Sequence, residues 1–183
     1  QHCVNNGRAI VLAPTSNGKS YMIHGLTEFH GRQKQKTLIV IDRSQLIEQL
    51  RENLRDEYKG SLRYETVYDK GNVDCDVYLT TWQSCYENDP EWFKQFDVLI
   101  GDEVHKFAAA SLRTLMDKCG HIGVRYGFTA TLDNDSKINR LTLIGMFGIA
   151  REVATASELI EQGVIAVPTI YAIIREYSAE LKR

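Results

Sequence analysis

The chain has 183 residues, of which 43% are apolar and 25% charged, the composition of a globular domain with a full hydrophobic core. Its net charge of −2 excludes a global excess of positive charge as the means of binding nucleic acid, so any such surface is a local patch. Four scattered cysteines without a C-x-x-C pair argue against a zinc site and for reduced thiols, and no apolar run reaches membrane-span length.

Apolar runs alternate with amphipathic segments along the chain. The helix prediction at 44–58, for example, rests on Leu46, Leu50 and Leu54, which fall on one face. Pro90 is expected to break the chain. In chain order, the predicted elements are strand 8–12, helix 21–29, strand 37–41, helix 44–58, a weakly alternating segment at 63–68, strand 76–80, strand 96–100, helix 108–118, strand 122–128, helix 136–145, helix 157–162 and strand 169–174.

Strands that alternate with helices predict an α/β fold, with a mainly parallel sheet and helices on both faces. Ligands of such sheets bind beyond the carboxyl ends of the strands. Polar clusters follow several of the predicted strands, as at 80–84, 101–105 and 129–131. This pattern is typical of an active-site rim.

Residues 13–20, Ala-Pro-Thr-Ser-Asn-Gly-Lys-Ser, lie between the first strand and the first helix, where a phosphate-binding loop belongs. The lysine is expected to reach the β- and γ-phosphates of a nucleotide, and Ser20 to offer its hydroxyl to Mg²⁺. Ala13 stands where the strict pattern has glycine, and the alternative is an ordinary strand–turn–helix junction with a surface lysine. The candidate nucleotide-binding residues are Thr15, Ser16, Asn17, Gly18, Lys19 and Ser20.

The second candidate segment is Asp-Glu-Val-His at 102–105, which follows an apolar strand. Asp102 is expected to hold Mg²⁺, and Glu103 to orient or deprotonate the attacking water, because ATP hydrolysis depends mostly on positioning and charge stabilisation. His105 can hydrogen-bond across the same rim. With Lys19, these are the candidate catalytic residues. The alternative is a solvated acidic pair at the start of a helix, where acids are favoured.

Five segments in this order resemble the motifs of the first RecA-like lobe of a superfamily 2 helicase of the D-E-x-H type. They are 13–20, 42–49, 80–84, 102–105 and 129–131. Within that superfamily, the chain is similar to the phage UvsW-type recombination and repair DNA helicases. The segments that carry this narrower resemblance are 126–133, 145–148 and 157–163.

The resemblance implies a RecA-like ATP-binding lobe at 1–150 and, at 151–183, a connection toward a second RecA-like lobe that the sequence lacks. It implies an ATP-dependent DNA helicase or translocase that uses ATP and Mg²⁺ and acts on branched or duplex DNA in recombination, repair or replication. The expected compartment is the cytoplasm, that of the host if the protein is phage-encoded. Since the missing lobe supplies an arginine finger and half of the nucleic-acid track in that family, the isolated chain is expected to bind Mg-ATP weakly and not to unwind DNA.

Polar and aromatic residues outside the nucleotide site are candidates for the nucleic-acid surface. They are Arg43, Ser44, Thr81, Trp82 and Gln83, while Thr129 and Thr131 are expected to couple ATP to the strand-binding face. Each has an ordinary alternative: a surface arginine, a packed tryptophan, or hydroxyl and amide groups that cap helices. Three alternative functions remain open at this stage: an RNA helicase, a nucleotide-gated binding or annealing module without useful turnover, and an unrelated P-loop NTPase.

Overall fold

A computed structural model of the chain describes residues 2–14, 18–66, 74–132 and 136–163. The described strands are β1 Arg8–Leu12, β2 Thr37–Ile41, β3 Tyr64–Thr66, β4 Val77–Thr81, β5 Val98–Asp102, β6 Val124–Thr129 and β7 Ala150–Glu152. The described α-helices are α1 His2–Asn6, α2 Lys19–Gly31, α3 Gln45–Glu52, α4 Trp82–Tyr86, α5 Pro90–Phe93, α6 Ala110–Lys118, α7 Lys137–Phe147 and α8 Ala156–Glu161. A π-helix at Asn53–Glu57 continues α3, and a 3₁₀ helix at Val104–Ala108 follows β5.

The seven strands form one sheet in the order β3-β4-β2-β5-β6-β1-β7, and every neighbouring pair is parallel. The register places Ile41 opposite Thr81, and Leu12 opposite Thr129. The carboxyl ends of β1, β2, β4, β5 and β6 therefore lie along one edge. That edge brings together the loops which the sequence singles out.

Hydrophobic clusters cover both faces of this sheet, because alternate residues of a strand point to opposite faces. On β2, Leu38 and Val40 belong to the cluster that includes Leu115 of α6. Ile39 belongs to the other cluster, with Ile23 of α2. All five residues of β2 are buried, as expected for a parallel strand covered on both sides. The α/β prediction, with helices on both faces, is confirmed.

Several predicted elements differ from the structure. Pro90 does not break the chain but starts α5, since proline is well suited to the first position of a helix. The helix predicted at 44–58 is α-helical only to Glu52, and 104–108 is a 3₁₀ helix. The last described strand ends at Glu152, and the strand predicted at 169–174 lies outside the described residues. Within the described ranges, no helix has both the length and the apolarity needed to cross a membrane.

Candidate functional site

The loop between β1 and α2 leads into the thirteen-residue helix through Gly18, whose left-handed backbone (φ 68°, ψ 27°) forms the N-cap. Its carbonyl accepts a hydrogen bond of 3.0 Å from the Met22 N–H. Ala13, which replaces the glycine of the strict pattern, is fully buried, and its N–H donates to the Thr129 carbonyl. The methyl group of Ala13 therefore packs in the core. Thr15, Ser16 and Asn17 lie outside the described residues.

Lys19, the first residue of α2, forms an ion pair with Glu103. The distance from its Nζ to Oε1 of Glu103 is 2.8 Å, and the two side chains are only 16% and 28% exposed. The residues are 84 positions apart in sequence. The structure thus joins the two candidate segments, the loop at 13–20 and the acidic segment at 102–105, in one site.

Glu103 has a left-handed backbone, with φ 51° and ψ 48°. For a non-glycine residue this conformation costs about 1–3 kcal/mol and is typical of functional sites. The 3₁₀ helix that follows is held by Val104, which packs over Gly101 and Gly127. A Cβ at either glycine would lie 2.7–2.8 Å from a Val104 methyl group, so a side chain there would displace the helix. Close packing therefore maintains the turn that directs Glu103 toward Lys19.

His105 connects this site to the end of β6. Its Nδ1 lies 2.9 Å from the Thr129 hydroxyl and 3.3 Å from Oε2 of Glu103. Because the Thr129 hydroxyl donates to the carbonyl of Thr131, it accepts from His105, which assigns the proton to Nδ1. Thr129 is fully buried, whereas Thr131 is exposed. The two threonines are thus joined to the acidic segment through one histidine.

Asp102, Lys19 and Ser20 line one cleft with residues of α3 and the π-helix, among them Gln49 and Asn53. Burial raises the pKa of the Asp102 carboxyl, and the charge of Glu103 raises it further, while Lys19 opposes both effects. A cation beside Asp102 would favour its charged form. The carboxylate and the Ser20 hydroxyl are oxygen ligands of the kind Mg²⁺ prefers, so the residues fit a magnesium ion shared with phosphate oxygens.

A second cleft lies beside the first, at the ends of β2 and β4. Arg43 is 71% exposed there, and the Thr81 hydroxyl accepts from the Ser84 N–H at 3.1 Å, which caps α4. Trp82 does not line this cleft; it packs against the hydrophobic core and edge-to-face on Tyr86. The residues that line the cleft are Asp42, Arg43, Ser44, Gln45, Thr81, Gln83 and Ser84.

Lys106 was not among the candidates drawn from the sequence, and Asp42 entered only as part of segment 42–49. The ammonium of Lys106 donates to Oδ2 of Asp42, and the two lie 64 positions apart. Their proximity follows from the pairing of β2 with β5, which local pattern does not reveal. The adjacency of Lys106 to His105, and of Asp42 to Arg43, is the one signal that the sequence offers.

Comparison with known proteins bears on the same region. A family model described as the res subunit of type III restriction enzymes matches residues 3–134. The ATP-dependent DNA helicase UvsW of Enterobacteria phage T4 is 27% identical over 186 residues, which cover 96% of this chain and 36% of the helicase. The chain thus spans about a third of the length of that relative.

Solved structures show the same fold. Two crystal structures of UvsW from bacteriophage T4 match with TM-scores of 0.73 and 0.72, at 23% and 25% identity; they cover 82% and 86% of this chain, which spans 57% and 34% of theirs. The SWI2/SNF2 ATPase core of Sulfolobus solfataricus, solved in complex with dsDNA, matches with a TM-score of 0.64 at 13% identity, over 80% of this chain and 32% of its own. These likenesses confirm the predicted RecA-like fold.

Proposed function

This chain belongs to the family of type III restriction enzyme res subunits, and from that membership we propose that it is the ATP-binding lobe of an ATP-dependent DNA helicase or translocase. The observation that carries the proposal is the ion pair between Lys19 and Glu103, beside the cleft that Ser20 and Asp102 line. It unites a phosphate-binding lysine with a candidate base at the carboxyl edge of a parallel sheet, where nucleotides bind.

ATP, held with Mg²⁺, would supply the phosphoanhydride bond whose hydrolysis drives the cycle. Lys19 would hold the phosphates, and Ser20 and Asp102 the metal. Glu103 would orient the attacking water, and the hydrogen bond from His105 to Thr129 would connect the site to the strand-binding edge. The ammonium of Lys19 already lies against a carboxylate, which shows that it can reach an anion at this position.

The substrate we propose is branched or duplex DNA, in recombination, repair or replication. The 27% identical relative is a DNA helicase by name, and the second cleft presents Arg43 with hydroxyl and amide groups suited to a phosphate backbone. Opening and closing of this lobe against a second one would move one strand along the rim. We place this activity in the cytoplasm, that of the host if the protein is phage-encoded.

The function is tested with the 183-residue chain and with a polypeptide extended through a second RecA-like lobe. We expect the short chain to bind Mg-ATP weakly and to leave forked DNA intact, because an arginine finger is worth about 10³–10⁵ in hydrolysis rate. The extended protein should unwind DNA forks with strand-stimulated ATP turnover. The same unwinding assay with RNA forks distinguishes a DNA helicase from an RNA helicase.

Three outcomes would contradict the proposal. Robust unwinding by the short chain would overturn the two-lobe mechanism. Unwinding of RNA forks alone would assign the protein to RNA helicases. Strand binding that depends on nucleotide, without turnover and without need of Glu103, would indicate an annealing module.

Replacement of Arg43 by alanine should weaken single-strand binding similarly for all sequences, because a phosphate contact carries no base specificity. The slope of log affinity against log salt should decrease by about 0.7, the value for one lost phosphate contact. The measurement is fluorescence anisotropy with labelled single strands at several salt concentrations. Arg32→Ala is the matched control, since Arg32 is exposed at the C-terminal end of α2, opposite the end that carries Lys19. An unaltered slope for Arg43→Ala would make Arg43 an ordinary surface arginine.

A further inference from the structure

β2 lies between β4 and β5 in the sheet, so its carboxyl end separates the two clefts. On one side, Ile41 pairs with Thr81, next to the candidate strand-binding residues. On the other side, Val40 pairs with Gly101, just before the acidic segment. Asp42 follows β2 directly and therefore stands between the nucleotide site and the second cleft.

The Asp42 carboxylate contacts a cation from each side. The Lys106 ammonium donates to its Oδ2, and Nε of Arg43 lies 3.5 Å from the same oxygen. The Asp42 side chain is 21% exposed, against 39% for Lys106 and 71% for Arg43. A half-buried carboxylate thus holds one cation from the 3₁₀ helix after β5 and one that lines the second cleft.

Lys106 is part of the 3₁₀ helix that also carries His105. Val104 and Phe107 anchor this helix in the core, and the Lys106 N–H donates to the Glu103 carbonyl at 3.1 Å. Lys106 therefore belongs to the same hydrogen-bonded turn as Glu103. A displacement of that turn would change the position of the Lys106 ammonium.

We propose that the Asp42–Lys106 ion pair is a positioning device, which couples occupancy of the nucleotide site to the placement of Arg43 against a nucleic-acid strand. The inference rests on the proposed function, since it requires both a nucleotide and a strand. Lys106 and Asp42 touch neither ligand in this proposal. They act through Glu103 on one side and through Arg43 on the other.

The test measures single-strand affinity of the 183-residue chain with and without Mg²⁺ and a non-hydrolysable ATP analogue. The ratio of the two affinities is the coupling factor. Lys106→Met and Asp42→Asn should each reduce this factor by about threefold to fivefold, the upper part of the range for a partly exposed ion pair. Lys106→Arg keeps the cation and should preserve the factor. Lys94→Met breaks a more exposed lysine–carboxylate pair, with Glu91 of α5 at 2.6 Å, and should leave the coupling factor unchanged.

A double variant, Asp42→Asn with Lys106→Met, should lose no more coupling than either single variant, because the two residues form one link. Additive losses would overturn the inference. The inference would also be overturned if each single variant weakened strand binding equally with and without nucleotide. That result would indicate a structural role or a direct phosphate contact. If the wild-type coupling factor is well above one and both single variants keep it, the inference is overturned while the proposed function stands. A wild-type factor of one would overturn the inference, whereas the proposed function is tested separately by ATP turnover and unwinding in the extended protein. Thermal melting confirms that each variant is folded.

Discussion

Glu103→Gln is expected to leave ATP binding nearly intact and to lower the rate of ATP hydrolysis by about 10²–10⁴-fold, the usual contribution of a general base. Glutamine keeps the shape of the side chain and an oxygen that can accept from Lys19 at the 2.8 Å separation. It cannot take a proton from water. In the two-lobe protein, the variant should accumulate in a state bound to both ATP and a DNA strand.

Single-turnover hydrolysis of labelled ATP measures the rate, and titration with a fluorescent ATP analogue measures the affinity. Glu91→Gln, an exposed carboxylate on α5, is the matched control and should hydrolyse ATP at the wild-type rate. Thermal unfolding of the Glu103 variant should match the wild type, because the left-handed backbone at 103 is retained. Wild-type turnover by Glu103→Gln would remove this residue from the mechanism.

Lys19→Ala is expected to weaken ATP binding so far that productive binding is lost at moderate ATP concentrations. The phosphates lose their cation, and Glu103 loses the ammonium that lies 2.8 Å from its carboxylate. Two acidic side chains, Asp102 and Glu103, would then face the nucleotide with less compensation. Hydrogen bonds to charged groups contribute about 1.5–3 kcal/mol, which predicts an affinity about 10–150 times lower.

A fluorescent ATP analogue in the presence of Mg²⁺ gives the affinity directly. Lys94→Ala provides the control for loss of a lysine, because Lys94 lies on the exposed end of α5 with Glu91 as its partner. Unchanged affinity of the Lys19 variant would mean that the loop at 13–20 is a structural turn. A loss of the same size in both variants would indicate a general electrostatic effect of net charge.

Elements with a strong local pattern could be predicted from the sequence. β2 is an unbroken apolar run, and the predicted bounds are those observed, since a strand covered on both faces needs apolar residues at every position. The elements α1, α4, α5 and β7 were missed because each is short. α1 and α4 have five residues each and α5 has four, while β7 has three, and no residue of β7 is buried. β7 is a strand because it pairs with β1, which is a property of the fold and not of its own residues.

For the candidate site, the sequence alone indicated which segments lie at the same edge of the sheet, although not which side chains pair there. Glycine, lysine and serine after one apolar strand, and two acids after another, specify a parallel-sheet edge, and the structure places Lys19 and Glu103 within 2.8 Å there. The family resemblance drawn from the same residues agrees with the match to residues 3–134. This part was predictable because each group is fixed by its own strand end and helix start.

Only the tertiary structure decided how these groups are held. The left-handed backbone of Glu103 depends on Val104 packing over two glycines from different strands. The Asp42–Lys106 pair depends on β2 lying beside β5, an order set by non-local pairing between segments about sixty residues apart. Likewise, the local sequence places Trp82 in a polar rim. In the structure Trp82 is the first residue of α4, and its side chain packs against the core. Strand order and side-chain packing are cooperative properties of the whole sheet, so they cannot be inferred from a local sequence pattern.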